Sequence, residues 1–151
     1  MHVTMSHSFI QNYGHLVYHT RKTTIRTEDL ARVHMYLRAM LKNMGAIDIV
    51  VGGIEDHIHI LANFPVLMTV PDIVRRLKID STYWLRGTRA SYRRFSWQTG
   101  YGYFSVSASS YKEVAKYIIS QRQHHRRMTA EEEFDRLVAK SRNAMQQKKF
   151  S

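Results

Sequence analysis

Two pairs of polar residues stand out in this 151-residue chain for the chemistry their spacing allows. In "EDHIHIL", His57 and His59 are two positions apart. Side chains alternate across a strand, so both imidazoles project from one face while Ile58 and Ile60 project from the other. Neutral imidazole is a common ligand for divalent cations, and the pair can begin a metal site. It supplies only two of the four ligands a structural zinc site requires, so on its own it reads equally well as two histidines on a half-exposed strand. In "YIISQ", Tyr117 and Gln121 are four apart and share one helix face. An amide oxygen there can complete a metal shell with the phenol beside it. Free tyrosine ionises near pH ~10, so a phenol that attacks phosphorus at neutral pH needs help. A cation on the scissile phosphate withdraws charge from the phosphorus and aligns its oxygens for in-line attack. Without such a partner, a helical tyrosine usually covers a helix–sheet seam and a helical glutamine is usually solvated.

These residues need a scaffold, and the pattern of the chain predicts one. "YGHLVYHT", Tyr13 to Thr20, alternates and is rich in β-formers, which predicts a strand ending at Arg21 and Lys22. Thr27 reads as the N-cap of an amphipathic helix carrying Leu30, Val33, Leu37, Met40, Leu41 and Met44, with Gly45 as its stop. "AIDIVVGGIEDHIHILANF" holds two β-rich runs, separated by Gly52, Gly53 and an acidic pair. Thr69 and Pro71 open a second helix with Val70, Ile73, Val74, Leu77, Trp84 and Leu85 on its apolar stripe, where Tyr83 and Trp84 are expected in the core. Tyr103 to Ser107 predicts a further strand. Ser110 with Glu113, and Thr129 with Glu132, form capping-box patterns for a tyrosine-bearing helix running on through "QRQHHRR" and for a last helix carrying Phe134, Leu137 and Val138. The first six elements spell strand, helix, strand, strand, helix, strand. This is the α+β, ferredoxin-like split βαβ order (βαββαβ), an antiparallel sheet with helices on one face, followed by C-terminal helices. His15 and His19 lie on the first strand, from which they could approach the pair; their default reading is structural. One domain spanning residues 1–151 is expected, with a core of about 13–134 and a polar tail of about 141–151 that frays.

Composition narrows the class. There are 23 Lys plus Arg against 12 Asp plus Glu, a net charge of +11, which favours a polyanionic partner because each phosphate contact releases condensed counterions. The 44% apolar content and plentiful aromatics exclude low-complexity disorder. With no cysteine the chain has neither disulfides nor thiolate metal sites, as suits a reducing compartment, and the cytoplasm is the expected location. No apolar run approaches the ~20 residues that span a bilayer, and "MHVTMSHSFIQNYG" lacks the continuous apolar core of a secretion signal, so no membrane partner is expected.

Taken in order, the blocks "GIEDHIHILANFP", "LKIDSTYWLR", "FSWQTGYGYFSVS" and "VAKYIISQRQHHRRMTAEEEF" resemble the small single-tyrosine HUH transposases of bacterial insertion sequences and their relatives that act on repeated palindromes. The likeness runs from about Tyr13 to Phe134. It implies a metal-dependent DNA transposase, an endonuclease that cleaves and rejoins single-stranded DNA through a 5′-phosphotyrosine intermediate and recognises DNA hairpins at element ends. Residue by residue it implies His57, His59 and Gln121 as ligands of Mg2+ (or Mn2+) and Tyr117 as the nucleophile. It also implies a homodimer with composite active sites, in which the tyrosine helix of one subunit completes the histidine site of the other.

A hairpin substrate would account for the basic residues, since folded and single-stranded nucleic acid is held by phosphate contacts and base stacking. The candidate phosphate contacts are Arg21, Lys22, Arg75, Arg76, Lys78 and Arg86; each reads equally as part of a solvated helix or strand end. His124 to Arg127 form a positive helix end. A competing possibility is a non-catalytic nucleic-acid-binding module with an RNA-recognition-like sheet. Such a module presents exposed aromatics on its central strands, where this sequence places histidines.

Overall fold

The computed structural model describes residues 8–148. The first residues of the segment judged unlike a secretion signal (1–7) and the end of the tail expected to fray (149–151) lie outside it. The elements in order are β1 (Tyr13–His19), α1 (Leu30–Met44), β2 (Ile47–Ile54), β3 (His57–Asn63), α2 (Val70–Thr88), β4 (Gly102–Ser105), α3 (Tyr111–Ile119), α4 (Gln121–His124) and α5 (Ala130–Lys148). Their strands form one antiparallel sheet in the order β2-β3-β1-β4, the split βαβ arrangement expected from the sequence.

Alternation along the strands sorts two layers. Leu16 and Tyr18 of β1 and Ile58, Ile60 and Ala62 of β3 face α1 and α2, where Val33, Leu37, Leu41, Ile73, Val74 and Leu77 close the main core. Burying each of these aliphatic side chains is worth about 1.5–3 kcal/mol. His15, Val17 and His19 of β1, paired in register with Leu61, His59 and His57 of β3, face the other way. That second face is not open. α3, α4 and α5 cover it, so His57, His59, Val17 and Leu61 are all fully buried. The close approach of α3 depends on Gly52 of β2, where a Cβ would stand 2.6 Å from the Ile118 carbonyl oxygen.

Several boundaries differ from the sequence expectation for local reasons. Thr27 does not cap α1; its hydroxyl donates to Glu55 at 2.7 Å, and a 3-10 turn over Thr27–Asp29 precedes the helix. Gly45 does stop α1, in the left-handed region at φ 101°. Gly52 and Gly53 lie within β2, and the acidic pair Glu55 and Asp56 alone makes the turn into β3. β4 is short, ending at Ser105. Thr69 caps α2 by accepting from the Asp72 amide, and the Thr129–Glu132 box forms with both hydrogen bonds at 3.2 Å. The Ser110–Glu113 box does not form, because Ser110 instead accepts from the Ser107 hydroxyl. The expected long tyrosine helix breaks at Ser120, whose hydroxyl bonds back to the Lys116 carbonyl at 2.8 Å. α5 continues through Lys148, past the point where fraying was expected. Tyr83 lies outside the core at 83% exposure, because its position on α2 points away from the sheet; only Trp84 is covered, stacked on Tyr36 with centroids 4.4 Å apart.

Candidate active site

β1 and β3 present four imidazoles to the layer formed by α3–α5. The turn before β3 places Asp56, whose carboxylate accepts from His57 Nδ1 at 2.7 Å. The break in the helix after Ile119 and the bend that follows matter, because they turn Gln121 and His125 inward. Gln121 Oε1 lies 2.8 Å from His57 Nε2 and 3.0 Å from His125 Nε2, while its amide nitrogen donates to the Tyr117 carbonyl. Glu133, in the first turn of α5, is buried with its Oε1 2.7 Å from His59 Nε2, 3.3 Å from His125 Nε2 and 3.6 Å from His57 Nε2. Its other oxygen accepts a short hydrogen bond from the Tyr117 hydroxyl. On the first strand, His15 Nε2 stands 2.7 Å from His59 Nδ1.

Electrostatics follow from burial plus these partners. Burial, helped by the neighbouring His59, lowers His15 to about 3, and burial lowers His59 to about 4 despite the Glu133 carboxylate. Both are therefore neutral at pH 7: His15 donates to His59, and His59 donates to Glu133. For His57 burial pulls the pKa down, but Asp56 and Gln121 outweigh it and the net shift is upward. Burial opposes ionisation of Glu133, yet hydrogen bonds from His59 and Tyr117 hold its carboxyl well below the usual range. Tyr117 is pushed far up by burial and then by the Glu133 charge, so its proton is held firmly in this arrangement.

All four residues singled out from the sequence for chemistry, His57, His59, Tyr117 and Gln121, meet in this cluster. The candidate phosphate contacts do not. Arg21 and Lys22 are exposed beyond the end of β1, and Arg75, Arg76, Lys78 and Arg86 sit on α2, across the sheet. Two of these are engaged with backbone: Lys78 Nζ donates to the Gln98 and Gly100 carbonyls at 2.8 and 2.7 Å, and Arg86 Nε donates to the Phe95 carbonyl at 3.0 Å. Sequence reasoning passed over Glu133 and took His125 only as part of a positive helix end. For Glu133 one signal was available: it falls on the inward stripe with Ala130, Phe134 and Leu137, and a carboxylate on such a stripe is seldom buried without a partner.

Two clefts flank the cluster. One is lined by His19, Gln98, Thr99, Gly100, Tyr101 and Phe134. The other runs past Asp56 and His125 and is bordered by Arg126 and Arg127. No described helix is long and apolar enough to cross a membrane.

The fold has counterparts among solved structures. A candidate transposase from Deinococcus radiodurans superposes with a TM-score of 0.58 at 19% identity, over 78% of this chain and 95% of that one. A REP-associated tyrosine transposase bound to a REP hairpin superposes with a TM-score of 0.56 at 12% identity, over 83% of this chain and 74% of that one. No curated protein matches the sequence. The model of the IS200-like transposases matches residues 8–121, from before β1 to Gln121, which takes in the histidine pair, the tyrosine and the glutamine. The chain belongs to the family of IS200-like transposases.

Proposed function

We propose that this transposase cuts and rejoins single-stranded DNA with Tyr117 as nucleophile, and that His57, His59 and Gln121 hold the divalent cation, Mg2+ or Mn2+, on which the reaction depends. The observation that carries the proposal is the meeting of the Tyr117 phenol and the His59 imidazole on one buried carboxylate, Glu133, with His57 and Gln121 in the same cluster. The donor set suits a cation. His57 spends its Nδ1 proton on Asp56, so its Nε2 in the neutral ring is a lone pair, and it faces the oxygen of Gln121, another lone pair, at 2.8 Å. Asp56 fixes the tautomer and ring orientation from behind, as outer partners of ligating histidines do. An ion bound there would draw negative charge off the scissile phosphate and align its oxygens.

The residues of the chain supply the remaining steps. Tyr117 Oη attacks the phosphorus as the bond to the 3′ oxygen breaks, leaving the downstream strand joined through its 5′ phosphate to the tyrosine. Glu133 already accepts the Tyr117 hydroxyl proton and is placed to take it as the new P–O bond forms. The departing 3′ oxygen gains a proton from solvent and later reverses the attack, so the phosphodiester energy is retained. Arg126 and Arg127 border the cleft beside His125 and offer charge to the strand that enters. A hairpin in the DNA end is the expected recognition feature, in keeping with the hairpin held by the REP-associated neighbour. The RNA-recognition-like alternative finds no support, because the central strands present buried histidines and aliphatics beneath three helices.

The test is to incubate hairpin-bearing single-stranded oligonucleotides with the protein and Mg2+ or Mn2+ and look for a covalent adduct on a denaturing gel. Wild type should give one and Tyr117→Phe none; an adduct with Tyr117→Phe overturns the assignment. In this structure α3 brings Tyr117 to the histidines of its own chain. A homodimer that exchanges tyrosine helices would instead let a mixture of Tyr117→Phe and His59→Ala proteins recover activity, and an inactive mixture assigns the site to single chains.

A further inference from the structure

Two more donors, His125 and Glu133, stand in the cluster, and both follow the segment that the family model matches. Their hydrogen bonds pose a problem that the proposed ligands alone do not resolve. His125 Nδ1 donates to the Met128 carbonyl at 2.8 Å, so in the neutral ring its Nε2 is a lone pair. That lone pair faces Gln121 Oε1 at 3.0 Å and Glu133 Oε1 at 3.3 Å, neither of which can donate. When His57 is neutral too, four electron-pair donors converge with no proton between them, and a proton on His57 alone serves Gln121 but leaves His125 Nε2 facing two acceptors. Protonating both rings would set two imidazolium ions with centroids 4.4 Å apart, a costly like-charge pair. One cation resolves all the contacts at once. The spacing agrees: ligands roughly 2.1 Å from an ion are about 3.0 Å apart at the edge of an octahedron and about 3.4 Å apart at the edge of a tetrahedron. The contacts within this group of four run from 2.8 to 3.6 Å, and ligand atoms of His57, His125 and Glu133 all lie within 4.8 Å of one another; His59 joins through Glu133, 2.7 Å from its Nε2, where the ion would take the place of the His59 proton.

We propose that His125 and Glu133 bind the same cation as His57, His59 and Gln121, so that α5 is a structural part of the metal site. The proposal rests on the function given above for the presence of a cation, and adds two consequences. A set of three imidazoles with one carboxylate and one amide oxygen favours a first-row transition ion such as Mn2+ over Mg2+, which prefers oxygen ligands and keeps its waters. Binding also ties α5 to the sheet, since Glu133 is the group by which the first turn of α5 reaches β3.

The test titrates the full-length protein with Mn2+ and with Mg2+ by calorimetry and follows amide hydrogen exchange in α5 with and without metal. Wild type should bind Mn2+ more tightly than Mg2+, and Mn2+ should slow exchange over the first turns of α5. Glu133→Gln and His125→Gln should each weaken Mn2+ roughly 10- to 100-fold or more, and Glu133→Gln should abolish the metal-dependent protection. Wild-type affinity in both variants overturns the shell, as does α5 exchange indifferent to Mn2+, an outcome that needs no variant to fold. The reaction fails separately. Mn2+ binding with α5 protection but no tyrosine adduct leaves the five-donor shell standing and refutes the chemistry; an adduct with α5 exchange unchanged does the reverse.

Discussion

The position of Tyr117 depends on a residue with no side chain, and Gly52→Ala tests that dependence. Gly52 pairs with His59 across the sheet and faces α3. A Cβ there would lie 2.6 Å from the Ile118 backbone oxygen and 2.7 Å from Ile118 Cγ2. Ordinary contact begins near 3.4 Å, so strand and helix must part by 3.4 − 2.6 = 0.8 Å. The nearest atom is backbone, so a rotamer change cannot relieve it. Overpacking of this kind costs about 1–3 kcal/mol, against which alanine recovers about 0.4–1 kcal/mol by restricting the unfolded chain. The net loss should lower the melting temperature by a few degrees, at about 2–4 °C per kcal/mol for a chain of this size. The functional effect should be larger. Ile118 adjoins Tyr117, and a displacement approaching 1 Å at a reacting group costs on the order of 100-fold in rate. Adduct formation in single-turnover conditions, read beside thermal unfolding by circular dichroism, separates the two effects. A Gly52→Ala protein that melts with wild type and forms adduct at the wild-type rate would refute the view that α3 is seated by contact at this glycine.

Two further outcomes follow from contacts away from the cluster. Asp29, 5% exposed, accepts from Arg89 Nε and NH2 at 2.7 and 2.9 Å and from the Tyr92 hydroxyl at 2.6 Å; Arg89, and then Tyr92, hold its carboxyl below the usual value of 3.8. A folded pKa below the unfolded one means that this stabilisation is present above the unfolded pKa and is lost as pH falls through the folded one. Asp29→Asn should therefore cost about 1–3 kcal/mol near neutrality, and its gap from wild type in urea unfolding should narrow as pH falls below the usual carboxylate value; a gap independent of pH would count against the pair. Lys78 is bound to the Gln98 and Gly100 carbonyls whereas Arg76 is exposed. Arg76→Ala should reduce the salt dependence of single-stranded DNA binding by roughly 0.7 in the log–log slope, while Lys78→Met should leave the slope unchanged and speed proteolysis at residues 98–101. An equal fall in slope for Lys78→Met would show that its ammonium leaves the carbonyls for phosphate.

What the sequence revealed was whatever depends on local periodicity. The period-two pattern of "HIHIL" set which side chains of β3 share a face, and the three-and-four spacing of Val33, Leu37 and Leu41 set the buried face of α1. The i, i+4 pair Tyr117 and Gln121 does meet in one cluster, though for a different local reason than a continuous helix, since the helix breaks at Ser120 between them. The contributions of Glu133 and His125 were hidden because they depend on how the chain folds back after α4. The bend that turns α5 over the sheet is sealed by His125 Nδ1 bonding to Met128 and by the Thr129–Glu132 box, and no periodic pattern encodes the angle at which it returns. For Lys78 and Arg86 the sequence conceals the partners: their acceptors are backbone carbonyls of the segment after α2, which carry no side-chain signal.

The two faces of the sheet also explain why chemistry and stability can coexist in so small a chain. Each residue of β3 belongs wholly to one layer: Ile58 and Ile60 to the aliphatic core, His57 and His59 to the polar cluster. A slip of one residue in the β1–β3 register would drive both histidines into the aliphatic layer and turn the isoleucines toward Glu133 and Gln121, at the cost of buried polar groups without partners. The same contacts that place the imidazoles thus oppose the misregistered sheet. The aliphatic layer carries most of the apolar burial, which leaves His57, Tyr117 and Glu133 placed by their reach to one another rather than by the need to fill a core. Replacing a cluster residue with one of similar size is therefore expected to leave the sheet and the α1–α2 layer folded, and this is the condition under which the Tyr117 and Glu133 variants report on chemistry and cation binding rather than on unfolding.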